Sequence, residues 1–194
     1  MDYVVACIIG YLLGSVPVAL LVARRHGVDL YATGDGNPGA WNALDQLGAR
    51  RAGPAFAGDA LKGTLAGLTG LALGDVWTGY AAVAAAMVGH AFPLFAGLRG
   101  GKSIMTFAGG MLAVAPLAAA IAVAACLAVS LGTRSFAWGA RVGVFGFPLV
   151  QLAVDPVSHV AATGACMTLI GLRFLTARGT SAPATSAPDA GPTT

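Results

Sequence analysis

The sequence predicts an all-α polytopic membrane protein of about seven helices, some of them short. Three observations carry that prediction. Of 194 residues, 57% are hydrophobic and only 10% charged. Glutamate does not occur. The apolar residues gather in runs close to the roughly 20 residues that cross a bilayer core. These leave little room for a soluble domain, so residues 1–175 read as one membrane domain. Residues 176–194, rich in Thr, Ala, Ser, Pro and Gly, read as a disordered tail.

The predicted spans are 3–23, 54–74, 76–95, 104–115, 117–131, 143–154 and 157–172. The first has no basic region before it and continues into Arg24 and Arg25, so it reads as a retained span and not a signal peptide. The second carries Asp59 and Lys62 at one-turn spacing. Residues 104–131 are long enough for a single tilted helix, or for two short helices hinged near Pro116. A single helix gives six spans and moves Arg134 and Arg141 to the outside, so seven is preferred. Ten of the 11 Lys and Arg residues then share one side, with Lys62 the exception within a span. By the positive-inside rule that side is cytoplasmic, with the N-terminus outside and the C-terminus inside. The net charge of +3 is used in orienting the chain and implies no nucleic-acid partner. Cys7, Cys126 and Cys166 lie far apart in apolar segments without ligand spacing, so they read as packing residues and no metal site is predicted.

Two glycine-rich loops fall on the predicted cytoplasmic side. Thr33-Gly-Asp-Gly-Asn-Pro-Gly-Ala-Trp-Asn42 permits positive φ angles that turn consecutive amides into one concavity. Gly89-His-Ala-Phe-Pro-Leu-Phe95, followed by Gly100-Gly-Lys-Ser103, sets a lysine beside freed backbone N–H groups. The first loop alone reads equally as a flexible connector. Their coincidence on one side points to a phosphate-bearing substrate met at the membrane surface. Asp59 and Lys62 share a helical face. They read as a helix-locking pair, or as Lys62 neutralising a phosphate with Asp59 orienting it. His90 ends a span and reads as a hydrogen-bonded helix-end residue or as a base. His26 and His159 receive no role.

These residues carry a resemblance. Gly14-Ser-Val-Pro17, Gly34-x-Gly-Asn-x-Gly-Ala-x-Asn42 with Leu47-Gly48, Asp59-x-x-Lys-Gly63, Gly89-His-x-Phe-Pro-x-Phe95 and Gly100-Gly-Lys-x-x-x-Thr106 resemble the bacterial acyl-phosphate-dependent glycerol-3-phosphate acyltransferase family. The match in order and spacing runs from about residue 9 to 110. The resemblance implies a seven-span inner-membrane enzyme of phospholipid biosynthesis. It would move an acyl group from acyl phosphate to the 1-hydroxyl of glycerol 3-phosphate, giving lysophosphatidic acid and phosphate without a cofactor. Lys102, Asn37 and His90 are the implied catalytic candidates. Gly34, Asp35, Gly36, Gly39, Asn42, Asp59, Lys62, Gly100, Gly101, Thr106 and Arg134 are the implied substrate-binding candidates, with the acyl chain reaching them from membrane lipid.

The chain also departs from the family. The first motif usually reads Gly-Ser-Gly-Asn-x-Gly-Ala-Thr-Asn followed shortly by Arg, whereas here Asp35 replaces serine, Trp41 threonine and Asp45 arginine. Ala137 stands where a serine is expected, and the C-terminal third motif is not recognisable around 173–180. Arg134, Arg141, Arg173 and Arg178 are the candidates to replace it. The alternatives to an acyltransferase are a relative that keeps the fold but has lost or shifted catalysis, binding lipid or a membrane partner, and a small transporter. The transporter would need polar residues deep in several spans, and few occur.

Overall fold

The computed structural model describes residues 1–177. Arg178 and the rest of the expected tail lie outside the described residues. Nine α-helices form among those described: α1 (Asp2–Gly14), α2 (Val18–Arg25), α3 (Ala40–Leu47), α4 (Ala49–Leu73), α5 (Val76–Ala91), α6 (Ile104–Val114), α7 (Pro116–Thr133), α8 (Phe136–Val154) and α9 (Val157–Ala177).

The expected single span over 3–23 is broken. Pro17 has no N–H to continue the ladder, so α1 ends and α2 starts afresh after it. Helix α3 lies inside the stretch read as a loop, burying Ala40, Asn42 and Ala43. Helix α4 starts at Ala49, five residues before the expected span, with Pro54 inside it. Helix α8 starts at Phe136, not at 143, because Arg141 is no obstacle to helix: its guanidinium lies 4.9 Å from the Trp138 ring centroid. Helix α9 runs through Thr176 and Ala177, which the sequence had assigned to the tail.

Helices α6 and α7 are not one tilted helix. Ala119, Val123 and Cys126 of α7 face the same cavity as Phe107 and Met111 of α6, and Phe136 just beyond α7 stacks on Trp41 near the start of α6. The chain therefore reverses at Ala115–Pro116. One end of the bundle joins the 26–39 and 92–103 loops, the α7–α8 turn and Arg173. The opposite end joins Tyr3 to Asp75 and Trp77 to His159.

Among the described residues, five helical segments are long and apolar enough to cross a membrane. Helix α4 carries Arg50, Arg51, Asp59 and Lys62 and sits at the centre, packed by α1, α2, α3, α5 and α6. Helix α6, with 11 residues, rises only about 16 Å. Tight crossing joins α4 to α6: a methyl added at Gly63 would meet the Thr106 carbonyl, and one at Gly109 the Ala60 carbonyl. The core around the site includes Val83, Met87, Phe107, Met111 and Phe147 with alanines of α7.

Candidate functional site

The first glycine-rich loop is shaped by its own side chains. Gly34 and Gly36 take φ of +61° and +67°, a region that suits glycine. The Asn42 amide lies 3.1, 2.9 and 3.1 Å from the carbonyls of Leu30, Thr33 and Asn37. Asn42 is thus the staple of this loop, and its side chain does not face the cavity. Tyr31 ties the loop to its neighbour by donating to the Arg99 carbonyl at 2.8 Å, while the Arg99 guanidinium covers its ring at 4.5 Å. Partial burial raises the Tyr31 phenol above its ordinary value by more than Arg99 lowers it, so it remains a donor at neutral pH.

The second loop folds back on α5. Gly100 and Gly101 donate to the Ala91 and His90 carbonyls, each at 3.2 Å. A methyl at Gly101 would meet His90 Nε2 and lie 3.3 Å from the Gly39 Cα, so only glycine lets the two loops approach this closely. Arg173 of α9 clips the outer side: Nη2 donates to the Gly100 carbonyl at 2.9 Å, Nε to the Gly101 carbonyl at 3.3 Å, and the guanidinium lies 5.0 Å from the Phe92 centroid. Ser103, with φ of +63°, donates its buried hydroxyl to the Met87 carbonyl at 2.7 Å and opens α6. A non-glycine residue held there marks a backbone constrained by its surroundings.

The loops meet at Lys102 and Asp35. Lys102 Nζ lies 3.1 Å from Asp35 Oδ2 and 4.8 Å from the Phe174 centroid. Asp35 Oδ1 accepts the Asn37 N–H at 3.1 Å. Beneath them Lys62 Nζ stands 2.9 Å from Asp59 Oδ1, and His90 Nδ1 faces the same oxygen at 3.6 Å. All three side chains are buried. Lys62 also donates to the Val16 carbonyl at 3.0 Å, which at the helix break before Pro17 accepts the Val18 N–H as well, at 3.0 Å. The spacing of Asp59 and Lys62 showed the pair, but its third member comes from another helix.

A cavity of about 210 Å³ runs from this pole into the bundle. Asn37, Gly39, Asp59, His90, Lys102 and Ser103 stand at its polar end, and the rest is apolar wall from α3, α4, α6, α7 and α8. Trp41 stacks on Phe136 with centroids 5.6 Å apart, and Phe56 meets Phe136 edge-on at 5.8 Å, forming one wall. Gly34, Asp35, Gly36, Asn42, Lys62, Gly100 and Gly101 frame the pole without lining this cavity. Thr106 is fully buried, with its backbone carbonyl against Gly63, and does not line the cavity. Arg134 is exposed at the α7 C-cap with φ of +53° and is absent from the lining. Of the four arginines weighed for the missing motif, Arg173 is the one that reaches the loops; Arg178 lies outside the described residues. Asp45 is exposed on α3 with no partner among the described residues. Ser103 received no role from the sequence, although its position beside Lys102 at a helix start was a usable signal.

Comparison with known proteins agrees with this geometry. The family model described as glycerol-3-phosphate acyltransferase matches residues 4–178. A glycerol-3-phosphate acyltransferase of Clostridioides difficile is 35% identical over 160 residues, covering 79% of this chain and 78% of the relative. One of Geobacter sulfurreducens is 37% identical over 149 residues, covering 76% of each. The crystal structure of PlsY, an integral membrane glycerol 3-phosphate acyltransferase in its glycerol 3-phosphate form, superposes with a TM-score of 0.80 at 28% identity, covering 92% of this chain and 91% of that one. Its lysophosphatidic acid form gives 0.77 at 27% identity with the same coverage. With the family model spanning most of its length and relatives above 30% identity over three quarters of it, the chain is a multi-pass membrane protein that belongs to the glycerol-3-phosphate acyltransferase family.

Proposed function

We propose that this protein transfers an acyl group from acyl phosphate to the 1-hydroxyl of glycerol 3-phosphate, releasing lysophosphatidic acid and phosphate. The observation that carries the reading is one continuous cavity with a cationic, amide-lined pole and an otherwise apolar wall. That division of chemistry matches a donor whose phosphate is polar and whose chain is not.

Acyl phosphate is already activated, so positioning and charge stabilisation are the protein's main tasks. Lys102, the Asn37 side chain and the loop amides near Gly39 hold phosphate oxygens at the pole, with the N-terminus of α6 adding its dipole. The acyl chain lies along the apolar wall formed by Phe107, Met111, Phe136 and Phe147. The acceptor hydroxyl attacks the carbonyl carbon, the C–O bond to phosphate breaks, and the hydroxyl proton leaves with the departing phosphate. His90, braced by Asp59 at the polar end, is the side chain suited to carry that proton. Lys62 acts indirectly, holding Asp59 and the broken first span in place.

The same reading sets the protein in the inner membrane with seven crossings, the site cytoplasmic and the N-terminus outside. Arg24, Arg25, Arg50, Arg51, Arg99 and Arg134 at the site end support that orientation. The test is purified protein in lipid given acyl phosphate and glycerol 3-phosphate, with phosphate release and lysophosphatidic acid both quantified. Stoichiometric formation of the two products, lost in Lys102→Ala, is expected. A folded protein that forms neither product overturns the reading and favours a relative without catalysis.

A further inference from the structure

Asp35 stands where the resembled family carries serine, and both of its oxygens are engaged. Oδ2 takes the Lys102 ammonium at 3.1 Å and Oδ1 takes the Asn37 N–H at 3.1 Å. One ammonium and one loop amide are the donor types a phosphate group requires. We propose that Asp35 is a built-in competitor of phosphate: its carboxylate occupies the anion subsite and must be displaced by a phosphate-bearing substrate. The inference rests on the proposed function for the identity of that substrate, but its binding consequence does not depend on turnover.

Exposure favours displacement. The Asp35 side chain is 51% exposed and that of Lys102 20%. An ion pair so open to water holds weakly, and a side-chain rotation delivers the carboxylate to solvent. Lys102 stays in place over Phe174, so the cation survives the exchange. Left in place, the carboxylate would repel a phosphate dianion at contact distance. Either route lowers affinity for phosphate monoesters and eases phosphate release. Asp35 therefore sets how tightly this enzyme holds its anionic ligands, and Lys102 delivers its full attraction only when Asp35 is absent or turned out.

The test is a double-mutant cycle on the full chain in lipid nanodiscs, reading equilibrium binding of inorganic phosphate and, separately, of glycerol 3-phosphate. Asp35→Asn and Asp35→Ser both keep an acceptor for the Asn37 N–H, so either supports the experiment if the other fails to fold. Affinity for both anions should rise about tenfold or more, and the rise should shrink at high salt. Lys102→Met should cost at least threefold more affinity in the Asp35→Asn background than in the parent. Gains with glycerol 3-phosphate and phosphate alike assign the subsite to the phosphate group. A gain with inorganic phosphate alone assigns it to the donor's leaving group. Unchanged or weaker binding of both anions, or an equal Lys102→Met cost in the two backgrounds, overturns the proposal. Absence of acyl transfer in the parent overturns the proposed function but leaves these readings intact.

Discussion

Arg173 tests whether the last helix completes the site. Its guanidinium makes a 2.9 Å bond to the Gly100 carbonyl and a 3.3 Å bond to the Gly101 carbonyl, and rests on Phe92 at 5.0 Å. A hydrogen bond to a charged group contributes about 1.5–3 kcal/mol, and an exposed cation–π contact about 0.5–1 kcal/mol. Arg173 is only partly buried, and its second bond is long. The low ends therefore apply, giving about 2–3 kcal/mol for the clip as a whole. Loss of that restraint lets the loop relax from Gly39 and moves Lys102 off the pole. At about 1.4 kcal/mol per decade, Arg173→Ala should lower kcat/KM by about 30- to 100-fold. Arg173→Lys should recover little, because one ammonium cannot reproduce a two-pronged fork on adjacent carbonyls. Phosphate release by lipid-reconstituted variants measures the rate, and tryptophan fluorescence on heating checks that the bundle is intact. An Arg173→Ala variant within threefold of the parent, or full rescue by lysine, would refute the clip.

Two further predictions concern the scaffold. Gly109→Ala and Gly63→Ala should each destabilise the bundle by about 1–3 kcal/mol, since a Cβ at either position meets a carbonyl of the facing helix; thermal denaturation in detergent measures it, and the double variant should cost less than the sum because both sites open the same crossing. For topology, in a background lacking Cys7, Cys126 and Cys166, cysteines at Asp75 and Asp155 should react with an impermeant maleimide from outside intact cells, and those at Arg50, Arg99 and Arg134 should not. Outside labelling at position 134 would contradict seven crossings.

Hydropathy located the helical passages because burial in lipid demands continuous apolar runs, and it located them well where no polar residue intervened. It failed where chemistry was local. Arg141 looked like loop, but its alkyl stem and a neighbouring Trp138 let it sit within the first turns of α8. Helix α3 was hidden by glycines just before it, although Ala40, Ala43 and Leu44 form a helical stripe that packs on α2 and α4. At the site, Gly39, Asn37 and Lys102 line one end of the cavity, yet motif order could not separate residues that line it from residues that hold the loop. Asn42 and Thr106 share motifs with Asn37 and Lys102, and only the fold shows the first bound to three carbonyls and the second buried off the cavity, its backbone carbonyl at the α4 crossing. Arg173 could not be chosen over Arg134 from sequence, because both follow a predicted span and their distance to the Gly100 carbonyl depends on how α9 packs.

The departures from the family pattern look severe in sequence, where two added carboxylates and one lost cation threaten an anion site. In the fold they separate into unequal cases. Asp45 is exposed on α3 and lies off the cavity, so its effect is a screened surface charge over about 8 Å at physiological ionic strength. Trp41 adds an aromatic wall against Phe136 and Phe56, a change in the apolar part of the cavity that leaves the pole's charge untouched. Near the unrecognisable third motif, Arg173 binds the backbone carbonyls of Gly100 and Gly101, a contact that needs no matching side chain across the gap. Only Asp35 enters the pole, and it enters paired with Lys102. Electrostatic doubt about the site therefore reduces to one half-exposed carboxylate that can leave, which is compatible with a working enzyme that binds its phosphates loosely.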